Sequence, residues 1–191
     1  MKFPRMRTRA WLTAPLAAVL AALVLAPASL ADTVTGGKTV LKFDQATGEG
    51  FADMSIGIQS TGAAKDGKHG FNFPIKSGEV AKGPRGEIDH KGGLAFFTEG
   101  GPGVKFTKFV VKIGKNKTKL FAKSGGAEVR FLDLDLSTAT IGGSAGTNLK
   151  IKGADANLGK QGAQVLSDTF NFPFHKGIHM GTMTIKASLT S

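Results

Sequence analysis

The 191-residue sequence has no cysteine and no tyrosine, and its one tryptophan is Trp11, near the start. Without cysteine there are no disulfides, thiolate metal sites or thiol nucleophiles, so packing alone must hold the fold. Without tyrosine no phenolate can act as acid, base or ligand. Arginine is scarce as well: after residue 31 only Arg85 and Arg130 occur. The chain is basic, but it lacks the stacking and base-reading side chains that nucleic-acid modules combine with such charge. No apolar run after Ala31 approaches the roughly 20 residues needed to cross a bilayer. There is no Gly-x-Ser-x-Gly elbow and no glycine loop followed by Lys-Ser or Lys-Thr. Asp133 and Asp135 lie two apart on one predicted strand, whereas a glycosidase pair flanks its sugar from separate elements. The residues point away from an enzyme.

What is present begins with an export signal. Residues 1–9 carry four positive charges and no negative one, and an uncharged stretch follows from Ala10 to Ala31. Its greasy centre, Leu16 to Leu25, is too short to span a membrane and is flanked by Pro15 and Pro27. Small residues, Ser29 and Ala31, end it, so the pattern predicts a signal peptide over 1–31, cut after Ala31, with Ala28 as second choice. The mature part, 32–191, suits one domain with its own core, secreted or held at the cell surface without a transmembrane anchor. Losing the four leader cations lowers the formal charge from +11 to about +7. The densest lysine run spans Lys105, Lys108, Lys112, Lys115, Lys117, Lys119 and Lys123. It reads as a solvated sheet face suited to an anionic cell-envelope polymer or membrane.

Glycine is plentiful, with 27 residues. The clusters at 36–37, 92–93, 100–103, 125–126 and 142–143 read as turns. Between them short runs alternate apolar and polar residues, as strands with one wet face do. The clearest is Val104 to Ile113. Its apolar phase slips after Lys108, which predicts a bulge near Thr107 or Lys108. Thr118 to Lys123 and Glu128 to Leu136 follow, with Leu132, Leu134 and Leu136 facing inward. Further strands are expected at 39–43, 55–58, 69–73, 86–90, 94–97, 148–151 and 182–189, and short helices at 159–168 and 45–54. The expected fold is all-β: a single antiparallel β-sandwich or open barrel with one or two short helices.

An internal echo links Phe71-Asn72-Phe73-Pro74 to Phe170-Asn171-Phe172-Pro173, each followed by a His-x-Gly pattern at His90 or His179, which raises a two-fold pseudo-symmetry. Histidine is the remaining metal or haem ligand once thiols are gone. The four are His69, His90, His175 and His179. His175 and His179 would share a strand face, but no third ligand stands at a telling distance for zinc.

The runs Phe73-Pro74-Ile75-x-x-Gly78, Gly86-Glu87-Ile88-Asp89-His90-Lys91-Gly92-Gly93-Leu94 and Val104-x-Phe106-x-x-Phe109-Val110-Val111 resemble the HtaA-like domain of actinobacterial envelope proteins. Leu132 to Ser137, Gly177 and Gly181 continue the likeness, which covers most of 38–187. The resemblance implies an all-β secreted or surface domain that binds haem in its best-known branch, where a tyrosine ligates iron and a histidine supports it. His90 carries over as that histidine. The tyrosine has no counterpart here, so a haem site would rest on His90 with His69, His175 or His179. The expectation is a non-enzymatic binding module for haem or another flat apolar ligand. The alternative is an envelope-associated structural or interaction protein whose lysine-rich faces meet anionic wall or membrane.

Overall fold

A computed structural model describes residues 31–81, 85–115, 117–144 and 146–191. The predicted signal peptide lies outside the described residues except for Ala31, which opens the first strand. In chain order the elements are β1 (Ala31–Phe43), α1 (Gln45–Asp53), β2 (Gly57–Thr61), β3 (Lys65–Gly67), β4 (Gly70–Ala81), β5 (Arg85–His90) and β6 (Gly93–Phe97). They continue with β7 (Gly103–Ile113), β8 (Thr118–Ser124), β9 (Ala127–Asp135), β10 (Thr140–Gly142), β11 (Asn148–Leu158), α2 (Lys160–Phe170) and β12 (His179–Thr190).

Antiparallel pairing runs β7-β5-β4-β1-β12-β11-β9-β8, and β8 pairs back onto β7, so eight strands close into a barrel. Of the two expected architectures the barrel forms and the sandwich does not. The barrel is closed, because Thr107 to Lys112 of β7 pair with Lys119 to Lys123 of β8. Closure removes the unpaired edges that an open sheet would expose. Strands β5 and β6 lie end to end along one edge of β7, and β2 continues outward from β6 as a flap. Short β3 and β10 add to β4 and β11.

The predicted slip in β7 is a bulge. The register against β8 shifts between Thr107 and Val110, and Lys108 has φ 52°. That extra residue re-aims the strand, so Phe106 on one side of the bulge and Phe109, Val111 and Ile113 on the other all point inward and are buried. The pair Gly36-Gly37, expected as a turn, instead sits inside β1 at a second register shift. Gly37 has φ 121°, and a Cβ there would lie 2.1 Å from the Lys186 carbonyl oxygen, so the close strand approach demands glycine.

An eight-stranded barrel is just wide enough for side chains to fill. Here Phe73, Phe106, Phe109, Phe131, Leu41, Ile88, Leu120 and Ile151 are all fully buried. Helix α2 lies tightly on β9: a Cβ at Gly162 would stand 2.7 Å from the Phe131 carbonyl oxygen. Helix α1 is intrinsically weak, short and with two glycines. Asp44 caps it by accepting the Thr47 N–H at 2.7 Å, and its one buried side chain, Phe51, fastens it to the body.

The echoed segments occupy unlike structure. Phe71 to Pro74 run through β4, whereas Phe170 ends α2 and Asn171 turns the chain in the left-handed conformation, φ 52°. The two segments of the echo therefore do not share a structure.

Candidate functional site

His90 ends β5 facing inward and is buried. Its Nδ1 lies 3.3 Å from the Phe109 carbonyl oxygen and its Nε2 2.6 Å from the Thr39 hydroxyl. A carbonyl only accepts, so Nδ1 carries the proton and Nε2 accepts from Thr39. Burial pushes the imidazole down to about 4, against weaker upward pulls from the Phe109 carbonyl and Asp89. His90 is thus a neutral residue that clasps β1 to β5 and β7 across the interior, with both nitrogens engaged.

The other histidines are exposed. His69 sits in the turn between β3 and β4, His175 in the loop after α2, and His179 at the first residue of β12. Among the described residues no group of three or more His, Asp or Glu could hold a metal ion, and no helix is long and apolar enough to cross a membrane.

His179 stands at a built location. Together with Asp44, Ala46, Thr47, Gly50, Phe51, Met54, Phe172, Phe174, Ile178 and Met180 it lines a groove of about 380 Å³ between α1 and the segment joining α2 to β12. Composition explains why the groove is open: Ala46 and Gly50 give α1 no bulk on that side. Opposite, the left-handed Asn171 ends α2 and throws Phe172 outward, where it is 46% exposed, with Ile178 at 38%. Most exposed apolar residues need no explanation, but contiguous ones rimmed by polar groups mark binding surfaces.

The rim is polar and titratable. His179 Nδ1 lies 3.4 Å from the Asn157 side-chain oxygen, and Nε2 lies 3.4 Å from Asp44 Oδ2. Hydrogen bonding from Thr47, followed by the nearby His179, holds the Asp44 carboxyl below its ordinary value. An Nδ1–H donated to Asn157 turns Nε2 toward the Asp44 carboxylate at the rim.

Behind the groove the rings form a continuous ladder. Phe172 contacts Phe174 at 5.3 Å between centroids, Phe174 stacks on Phe51 at 5.8 Å, and Phe51 meets Phe96 at 5.4 Å. From Phe96 the contacts run through Phe106, Phe131 and Phe109 to Phe73. Such pairs add to the area they bury and stiffen what they line. The groove floor therefore rests on the core, and the same ladder passes through Phe109, whose carbonyl holds His90.

Sequence reasoning singled out His179 but not its partners: Asp44 and Phe51 lie far earlier in the sequence, in the α1 segment, and Phe172 lies in His179's own segment. The signal available was Asp44 before a short apolar-poor helix, an N-cap pattern, and Phe172 beside a proline.

No protein-family model matches the chain, and no curated protein sequence matches it. The fold is nevertheless shared with solved structures. The crystal structure of the C-terminal domain of HtaA from Corynebacterium glutamicum is similar with a TM-score of 0.64 at 17% identity, covering 83% of this chain and 99% of that one. The N-terminal domain of the same protein gives 0.64 at 12% identity, again over 83% and 99%. A domain-swapped dimer of a histidine-to-alanine variant of the C-terminal domain gives 0.55 at 18%, over 76% and 92%. The chain has an HtaA-like fold.

Proposed function

We propose that this is a non-enzymatic binding module of the cell envelope or exterior that takes a flat apolar ligand, haem first among the candidates, in the groove between α1 and the 171–180 segment. The observation that carries the reading is an open apolar groove with an accessible imidazole on its rim. Its 380 Å³ stands near the low end of the roughly 300–1,000 Å³ typical of small-molecule sites. A flat ligand would lie against Phe172, Ile178 and Met54 with one edge in solvent. The filled barrel leaves the outside as the place for it. His179 Nε2, on a ring that Asn157 holds through Nδ1, is the nitrogen that could reach an iron in place of its contact with Asp44, and histidine alone is an established haem ligand. The resemblance read in the sequence implies haem, and the shared fold is compatible with that ligand. The export pattern read in residues 1–31 supports a location outside the membrane.

Titrating hemin into the protein and recording visible absorbance tests this. A saturable, sharpened Soret band is expected. It should shift in His179→Ala and weaken by roughly ten- to a hundredfold in affinity in Phe172→Asp, since burying such a ring is worth about 1.5–3 kcal/mol. His90→Gln should leave the spectrum unchanged. A flat response in the unaltered protein would sink the haem reading and favour an interaction module without a small-molecule ligand, for which the filled interior also speaks.

A further inference from the structure

We infer that the outer face of β1, β12 and β11 is a seat for a linear polyanion, such as a phosphodiester or polyphosphate chain, centred on Lys38, Lys186 and Lys150. The three lysines come from distant parts of the sequence, and the barrel sets them directly side by side. Lys38 pairs with Lys186 in the register of β1 and β12, and Lys186 pairs with Lys150 in that of β12 and β11. All three are exposed. Adjacent strands lie just under 5 Å apart, so the ammonium stems form a row about 10 Å long across the strands.

Like charges directly opposite one another on a sheet are unfavourable, and nothing on this face relieves them. None of the three makes an ion pair among the described residues, whose ion pairs engage Lys112, Arg130 and His179 instead. Strand β12 has no acidic residue. On β1, Asp32 already accepts from the Gly146 N–H at 3.1 Å and the Ser191 hydroxyl at 3.4 Å. On β11, Asp155 accepts from the Thr138 hydroxyl at 3.0 Å. Lysines placed to block sheet edges would sit on edge strands, but β12 lies between two partners in the closed ring.

The face is also shaped. A groove of about 380 Å³ runs along the row, lined by Gly37, Lys38, Leu149, Lys150, Lys186 and Ser188. A concave trough crossing the strands fits a chain better than the plane of a bilayer. Exposed Lys42 and Lys152 extend the positive charge along β1 and β11. This seat is separate from the α1 groove and does not depend on what that groove binds.

The test is binding of long-chain inorganic polyphosphate to the protein at several salt concentrations, beside orthophosphate and phosphatidylglycerol vesicles. Saturable polyphosphate binding is expected. The triple variant Lys38→Ser/Lys150→Ser/Lys186→Ser should lose at least about tenfold in affinity, with the salt dependence shallower by about one counterion for each lysine removed. Its Tm should hold or rise, because the repulsion has gone. Removing Lys115, Lys117 and Lys119 should leave the affinity within about twofold. Equal losses in the two triple variants would reduce the effect to total charge and overturn the proposal. Binding to vesicles but not to polyphosphate would overturn it in favour of a membrane surface, and a lowered Tm in the first variant would give the lysines a structural role instead.

Discussion

At the scale of single residues, His90 shows what burial does to an imidazole. Its folded-state value near 4 lies below the ordinary 6.5, so the unfolded chain takes up a proton that the folded one refuses. Stability from this residue is therefore complete above about pH 6.5, falls as pH drops from there to about 4, and changes no further below. The full effect is about 3 kcal/mol by linkage. Urea unfolding midpoints measured from pH 7.5 to 4 should decline through that window, and His90→Gln should flatten the decline. A midpoint that stayed level in the unaltered protein would show that His90 can be protonated in place. His90→Ala, which strands the Thr39 hydroxyl in the interior, should cost about 2–4 kcal/mol.

At the scale of elements, the contact of α2 with β9 is decided by one missing methyl. Alanine is a better helix former than glycine by about 1 kcal/mol, so propensity alone would make Gly162→Ala stabilising. The added Cβ would meet the Phe131 carbonyl oxygen at 2.7 Å, and a backbone atom cannot step aside. Overpacking of this kind costs about 1–3 kcal/mol, so thermal denaturation should show a lower Tm. A higher one would mean that α2 sits looser on the sheet than its geometry states. Most elements were legible in the sequence. The alternation of β7 and Leu132 and Leu134 of β9 fixed faces as well as strands, Leu136 lies beyond β9 and is only half-buried, and the phase slip pointed to a bulge near Thr107 or Lys108. Strands β3 and β10 were not legible, because three residues are too few to show a period. The first half of β1 was hidden because Gly36-Gly37 looks like a turn until a neighbouring carbonyl is known to press on it.

At the scale of the whole molecule, what the sequence could not show is pairing between distant segments. Alternation gives each strand a wet and a dry face but not its neighbour, so sandwich and barrel were equivalent readings until β8 was seen against β7. The candidate groove and the lysine row were hidden for the same reason. The densest lysine run in the sequence proved partly committed: Lys112 reaches Glu87 and Glu128 at 4.0 and 3.8 Å and covers the Phe121 ring. The row that stands unopposed comes from residues 38, 150 and 186. Such distant pairing also slows folding, and a barrel of this topology should refold in milliseconds to seconds. Stopped-flow circular dichroism after denaturant dilution would check it, and complete recovery within the mixing dead time would contradict the pairing described.

The pairing of β1 with β12 sets a clock as well. The first strand holds β4 on one flank and needs the last strand on the other, with Thr33 opposite Thr190 and Phe43 opposite Gly181. A chain delivered from its N-terminal side through a narrow passage cannot finish its ring until β12 emerges. Until then two rows of backbone donors and acceptors stay unpaired and available to any neighbouring copy that arrives first.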